Sequence, residues 1–311
     1  MKAVPNLTSP TRSLDLVESI AAPRTRGQRF IQFPLTRIVL AIFITALAGG
    51  LSLTYLGKLA HSWGGRMWPE FLAASIALLA YGLYVRVFER RQVTELSAAR
   101  ALPEFVVGLL TGAILVACVV SLVAALGSYR ILGMNAWTMG ILAPLALMTF
   151  VGVLEEIISR GIVFRITEKS LGSWAALAIS SLLFGLAHLP GEGVGVLAIA
   201  ITVVAGVMFA AAYMLTRRLW LAIGIHIAWN YTLGSIFSVA VSGREAKGLL
   251  VGKVSGSDLF TGGTYGFEAS VVTLLVLGVF AVALLRAARK KGHFVEPAWR
   301  PNSCDAPVSD I

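Results

Sequence analysis

Cysteine, histidine and charged side chains are all scarce in this sequence, and these shortages limit the class of protein. The two cysteines, Cys118 in an apolar run and Cys304 near the C-terminus, give neither a disulfide framework nor the spacing of a zinc site. Charged residues make up 14% of the chain and apolar residues 57%, and the mean hydropathy is +0.81. These values exclude a soluble domain with a large core and are typical of a membrane protein.

The net charge of +10 fits a membrane topology better than a nucleic-acid partner. The basic residues are spread along the chain and form no nucleic-acid-binding motif. Apolar run lengths predict an all-α fold, a polytopic integral membrane bundle of about eight transmembrane helices. The predicted spans are roughly 37–57, 69–88, 104–127, 143–168, 173–189, 194–216, 219–241 and 267–288.

The distribution of lysine and arginine predicts an orientation for this bundle. An even number of spans places both termini on the same side of the membrane. Under that topology 20 of the 26 basic residues lie on the side of the termini, and six lie opposite. The positive-inside rule therefore predicts that both termini are cytoplasmic. The Ala-, Arg- and Leu-rich composition favours a bacterial inner membrane.

The predicted spans divide the chain into five segments. Residues 1–35 form a cytoplasmic, disordered N-terminal tail, and residues 36–130 hold the N-terminal transmembrane helices. Residues 131–241 form a transmembrane core that carries the polar residues described next. Residues 242–288 comprise an external Gly/Ser-rich loop and the last transmembrane helix, and residues 289–311 form a cytoplasmic C-terminal tail.

Two adjacent carboxylates stand at the end of a long apolar run. No charged side chain occurs from Ile131 to Leu154, so Glu155 and Glu156 fall where hydrocarbon is expected. Ionisable groups at such depth cost a few kcal/mol or more each and usually face a protein interior or a wet cavity. Glu156 and Arg160 are four residues apart, with the acid first, which predicts a same-face ion pair. Glu155 points about 100° away and lacks a partner in its own helix, so it is the candidate for chemistry.

Three further polar side chains interrupt apolar helices: His188, His226 and Asn230. A carboxylate held away from water can take a proton from a water molecule, and a neighbouring imidazole can orient that water. His226 and Asn230 are four residues apart and share a helix face, where both can donate hydrogen bonds to an oxyanion. Together these groups describe the hydrolysis of a peptide bond without a covalent intermediate.

A metal site is the alternative use of the same residues. Glu155, His188 and His226 form a common catalytic zinc set of two histidines and one glutamate. However, the HExxH motif is absent, so the metal interpretation lacks its strongest local signature. The sequence therefore favours no cofactor and leaves Zn²⁺ as the alternative.

Three short motifs occur in order, each in an apolar helix, and their order and spacing resemble one family. They are EExxxR (Glu155, Glu156, Arg160), FxxxH (Phe184, His188) and HxxxN (His226, Asn230). Over about residues 140–235 the chain resembles the CPBP family of intramembrane proteases. That family takes in CAAX prenyl endopeptidases and bacterial relatives linked to bacteriocin self-immunity.

The resemblance implies a role for each polar residue. Glu155 would be the base that activates water, assisted by His188. His226 and Asn230 would be the oxyanion donors, and Glu156 with Arg160 a structural or substrate-carboxylate pair. The implied substrate is a membrane peptide or a lipidated protein in the bilayer. One position departs from the family, because Ser159 stands where an aromatic residue often precedes the arginine.

Two other functions use the same residues. In a proton-coupled transporter, Glu155 and His188 would form a relay, although the sequence lacks the pair of broken helices in repeated halves expected of such carriers. A non-catalytic immunity or scaffold protein would retain the site without using it. Independently of function, His226 and Asn230 could serve only as polar contacts between helices. The sequence predicts no nucleic-acid partner and indicates no oligomeric state.

Overall fold

The structure is a computed structural model that describes residues 33–62 and 67–299 of the chain. Most of the predicted N-terminal tail and the end of the predicted C-terminal tail lie outside these residues. The division of the chain into five segments stays a prediction.

Helices account for nearly all of the regular structure, and three of them continue as π-helix. They are α1 (Pro34–Ser62), α2 (Trp68–Tyr84), α3 (Ala101–Ala125), α4 (Met139–Glu156), α5 (Arg165–Leu186), α6 (Val196–Thr216), α7 (Trp220–Tyr231), the short α8 (Asp258–Thr261) and α9 (Val271–Lys290). The π-helical continuations are Val85–Glu89 after α2, Ile157–Phe164 after α4 and Thr232–Ile236 after α7. The prediction of an all-α, polytopic membrane bundle is confirmed.

Six helices in the described ranges are long and apolar enough to cross a membrane, against about eight predicted. The predicted fourth and fifth spans form one continuous helical stretch from 139 to 186, because the π segment after α4 leads directly into α5. The backbone nevertheless kinks at Gly172, whose φ of 80° requires a residue without a β-carbon. The predicted seventh span is shorter than expected, because α7 has only 12 residues before its π-helical continuation.

Ion pairs define one end of the bundle, here called the terminal end. Arg37 at the start of α1 and Arg165 at the start of α5 each lie 2.8 Å from Glu89 at the end of the second helical segment. Arg218, just before α7, pairs with Glu104 in the first turn of α3. The segments that directly follow α6 and α9 also meet at this end. The first segment to enter the bundle and the last to leave it therefore lie at this end.

A pair of short strands defines the opposite end, here called the strand end. β1 (Tyr129–Met134) follows α3, and β2 (Leu250–Val254) precedes α8. The strands pair antiparallel, with a register shift between Ile131 and Gly133. The Tyr129 hydroxyl donates to the Phe237 carbonyl at 2.7 Å, which ties the strand pair to the loop after α7. β1 lies between the predicted third and fourth spans, and β2 lies in the predicted external Gly/Ser-rich loop.

Helices α3 and α7 approach each other so closely that glycine is required at the contact. A β-carbon added to Gly108 would lie 2.5 Å from the Leu221 carbonyl oxygen, and one added to Gly112 would lie 2.4 Å from the Ile225 oxygen. Such distances are well inside van der Waals contact, and small residues commonly allow helices to pack this closely in membranes. Every residue of α7 from 221 to 230 is buried as a result. This helix carries His226 and Asn230 into the middle of the bundle.

Candidate active site

A cavity of about 1230 Å³ lies between helices α4, α5, α6, α7 and α9, and Ile42 of α1 also lines it. Four of the six predicted site residues line it: Glu155, His188, His226 and Asn230. The other two, Glu156 and Arg160, lie behind its wall, and their side chains are completely buried. The structure thus brings all six to one region of the bundle.

The predicted ion pair between Glu156 and Arg160 is present, and it also holds a histidine. Glu156 Oε1 accepts a hydrogen bond from Arg160 Nη1 at 2.9 Å and another from His226 Nδ1 at 2.9 Å. Arg160 Nη2 donates to the Gly206 carbonyl at 2.9 Å. Because a carboxylate only accepts hydrogen bonds, the Nδ1 of His226 carries its proton. A glutamate on α4 therefore fixes the orientation of a histidine on α7.

Two phenylalanines enclose the charged groups. The Arg160 guanidinium lies 4.6 Å from the centroid of the Phe184 ring and 5.1 Å from that of Phe209. The His226 ring stacks on Phe209, with centroids 4.7 Å apart and an interplanar angle of 22°. Cation–π contacts in a desolvated setting contribute about 2 kcal/mol. These rings also keep water away from the ion pair and limit the rotation of the imidazole.

Glu155 faces the cavity, as its helical phase relative to Glu156 predicts. A third of its side chain is exposed, and its Oε2 lies 3.8 Å from His226 Nε2. Within the described part of the chain, this Oε2 is buried and has no hydrogen-bond partner. A carboxylate oxygen and an imidazole nitrogen therefore face the same space without bonding to each other directly. Since Oε2 itself is buried, water in the cavity can reach this carboxylate through the exposed third of the side chain.

The π-helical segment begins immediately after the two glutamates. Residues 157–164 add a residue to each turn, which shifts the faces of the following helix relative to those of α4. Single π segments inside α-helices occur frequently at functional sites. Despite this shift, Arg160 stays within hydrogen-bond distance of Glu156. No residue pattern in the sequence indicated the π segment.

His188 and Asn230 complete the polar lining near the strand end. His188 lies two residues beyond the end of α5, and its Nδ1–H donates to the Phe184 carbonyl at 2.8 Å. This bond assigns the Nδ1 proton, so Nε2 of the neutral ring is free to accept a hydrogen bond. Asn230 is buried and lies one helical turn beyond His226 on the same side of α7.

The residues of the alternative zinc set do not form a metal-binding group. In residues 33–62 and 67–299 there is no cluster of three or more His, Cys, Asp or Glu side chains that could hold a metal ion. The choice between no cofactor and Zn²⁺ stays a prediction, and we derive no step through a metal.

Glu268 is a cavity residue that the sequence analysis missed. Its Oε1 accepts a hydrogen bond from Trp229 Nε1 at 2.8 Å, and its Oε2 accepts from Ser242. The available signal was its position, since it is an acidic residue at the start of the last predicted apolar span. Its contacts connect the loop before α9 to α7, one residue from Asn230.

The fold and the site together define a class of protein. A polytopic membrane bundle that encloses a carboxylate, two imidazoles and a carboxamide around one cavity is equipped for acid–base chemistry on a substrate within the membrane. Residues 136–232 match the family model of Rce1-like proteins, described as type II CAAX prenyl endopeptidase Rce1-like. This match includes all six predicted site residues and confirms the resemblance found in the three motifs.

At the level of the family, this segment indicates a CAAX-type intramembrane endopeptidase in an integral membrane protein. A protease of this kind implies a membrane-embedded substrate. Neither the curated proteins nor the solved structures gave a match to the chain.

Proposed function

We propose that the protein hydrolyses a peptide bond in a membrane-embedded or lipid-modified, CAAX-like substrate by means of a water activated by Glu155. One observation carries this proposal: Glu155 Oε2 lacks a partner and faces His226 Nε2 at 3.8 Å inside a cavity of about 1230 Å³. Ligand cavities of about 300–1,000 Å³ hold drug-sized molecules, so this one has room for a short extended peptide.

The first step is the attack of water on the scissile carbonyl carbon. Glu155 removes one proton from the water, and a new C–O bond forms as the carbonyl oxygen becomes an oxyanion. His188 supports this step, because its free Nε2 can accept a hydrogen bond from the same water. When the tetrahedral intermediate collapses, the C–N bond breaks and Glu155 returns the proton to the leaving amine.

The oxyanion needs donors on the opposite side of the carbonyl. The Asn230 carboxamide supplies N–H donors from α7. Since His226 Nδ1 already donates to Glu156, its Nε2 donates to an oxyanion only when the ring is an imidazolium. The carboxylates of Glu155 and Glu156 flank the ring and stabilise that charged form. Removal of one oxyanion donor typically lowers kcat by about 10²–10³-fold.

Glu156 and Arg160 act structurally in this proposal. The Arg160 side chain is completely buried, and both of its terminal nitrogens are engaged by Glu156 and Gly206. Its Nε has no hydrogen-bond partner among the described residues, but the side chain does not line the cavity, so we assign it no contact with a substrate carboxylate. Its part is to neutralise Glu156 and to hold that residue against His226.

The test is cleavage of a farnesylated CAAX peptide by the purified protein in detergent. We expect Glu155→Gln to abolish cleavage, because glutamine keeps the shape but cannot accept the proton. The matched control is Glu192→Gln, which neutralises an exposed carboxylate at the edge of the same cavity and leaves cleavage intact.

A chelator forms the third arm of this experiment. We expect it to leave the rate unchanged. Loss of cleavage in chelator and recovery with Zn²⁺ would contradict the proposal, as would normal cleavage by a folded Glu155→Gln protein.

A further inference from the structure

Among the described residues, the charged and fully exposed side chains that line the cavity all lie at one end of the bundle. Its rim at the strand end carries exposed, charged side chains from two loops: Glu192, Arg244, Glu245 and Lys247. Exposed charges that line a cavity mark its connection to water. The loop after α5 and the loop after α7 both contribute, so this opening lies at the end opposite the ion-pair network.

Toward the terminal end, the cavity is closed by a packed floor. Val163, Met208 and Phe209 line its inner limit, and each is at most 5% exposed. Beneath them Phe164 and Tyr213 meet edge to face with ring centroids 5.6 Å apart, and both are buried. This aromatic layer separates the site from the ion pairs of the terminal end.

The cavity also reaches the side of the bundle. Leu183 in the last turn of α5 and Ala187 directly after it line the cavity and are exposed, Leu183 by 49%. Across the opening, α4 contributes Pro144, Leu147 and Met148, which are apolar. A gap bordered by apolar side chains on a lipid-facing surface admits a membrane-anchored segment sideways. This gap lies in the half of the bundle nearest the strand end.

Charge decides which side of the membrane each end faces. At the strand end the basic residues of the described segments are Lys58, Arg130, Arg244, Lys247 and Lys253. The terminal end holds the basic residues of 86–100, 165–169, 217–218 and 286–291. By the positive-inside rule the terminal end is cytoplasmic, which places the strand end outside.

We infer that the active-site cavity opens to the extracytoplasmic side and receives a peptide anchored in the outer leaflet of the membrane. This inference rests on the proposed function and specifies the substrate class: an exported peptide or protein whose lipid or apolar anchor lies in the outer leaflet. The water consumed in the hydrolysis also enters the cavity from the extracytoplasmic side. A substrate anchored in the cytoplasmic leaflet faces the closed floor.

The experiment uses single cysteines in a protein that carries Cys118→Ala and Cys304→Ser. Ser159→Cys places a thiol inside the cavity, Glu245→Cys places one at its rim, and Lys169→Cys places one at the terminal end. Each variant is treated with a charged, membrane-impermeant thiol reagent in spheroplasts and in inverted inner-membrane vesicles. We expect the first two to react in spheroplasts and to be protected in inverted vesicles, and Lys169→Cys to show the reverse.

Reaction of Ser159→Cys and Glu245→Cys only in inverted vesicles would overturn the inference. If Ser159→Cys does not fold, Glu245→Cys and Ala246→Cys decide the result from the rim. Cleavage in detergent separates this outcome from the proposed function, because micelles expose both ends of the protein. If the enzyme is active but shows the opposite labelling pattern, the proposed function holds and the inferred side of the membrane is wrong. If the enzyme is inactive but shows the expected pattern, the inferred side holds and the proposed function is wrong.

Discussion

Arg160→Met tests whether the buried ion pair holds the site together. Methionine keeps much of the volume of the arginine stem, so the change removes mainly the charge and the hydrogen bonds. Loss of one partner from a buried ion pair costs about 3–5 kcal/mol. Glu156 keeps its bond from His226, which reduces the penalty, and the Gly206 carbonyl, which lies inside α6, keeps its helical hydrogen bond. We expect a net loss of about 4 kcal/mol in the free energy of unfolding.

The assay is thermal unfolding of the purified protein in detergent. At roughly 2–4 °C per kcal/mol, this loss lowers the Tm by about 10 °C. The matched control is Arg86→Met, which alters an exposed arginine and shifts Tm by no more than about 2 °C. An Arg160→Met protein as stable as the wild type would refute the reasoning that the ion pair supports the site.

A double variant separates stability from activity. Replacement of a whole buried ion pair by apolar residues is often neutral or stabilising. Glu156→Leu combined with Arg160→Met should therefore recover part of the lost stability. Activity should stay low, because His226 Nδ1 then has no acceptor to fix its orientation. Recovery of both the stability and the activity would show that the orientation of His226 does not depend on Glu156.

Two further predictions concern packing around the site. Gly112→Ala should lower both Tm and activity, because the new β-carbon would lie 2.4 Å from the Ile225 carbonyl oxygen; Gly82→Ala, with nothing within 4 Å, is the neutral control. Phe209→Leu should lower cleavage about tenfold, since loss of about 1–2 kcal/mol of ring contacts with His226 loosens the imidazole. Phe43→Leu on the exposed face of α1 should leave the rate unchanged, and equal effects of the two would contradict that role for Phe209.

Local spacing predicted the parts of the site that lie on one helix. The interval of four residues between Glu156 and Arg160 was sufficient to predict their ion pair. The angular position of Glu155 around the helix was sufficient to predict that its side chain points away from that pair. By contrast, the bond from His226 to Glu156 joins residues 70 positions apart, and no local rule specifies which of two adjacent carboxylates an imidazole meets. The aromatic enclosure by Phe184 and Phe209 depends on the same long-range packing.

Apolar run length predicted the existence of the spans better than their ends. The run of the seventh span continues past residue 236, yet the helix stops there and Ser238 adopts a positive φ of 54°. At this point the Phe237 carbonyl accepts a hydrogen bond from the Tyr129 hydroxyl, a long-range contact that run length does not register. β1 and β2 were not predicted, because each is short, contains glycine, and pairs with a partner more than a hundred residues away.

The glycine contact between α3 and α7 affects how this site could be inherited or transplanted. The family match spans residues 136–232 and includes all the catalytic candidates, but α3 lies before it. A chimera that exchanged only the matched segment would carry the chemistry without the surface that seats α7. Substitutions at Gly108, Gly112 and Gly224 must therefore be compensated across the boundary of the match. For recombination or design, the matched segment therefore has to be moved together with at least α3.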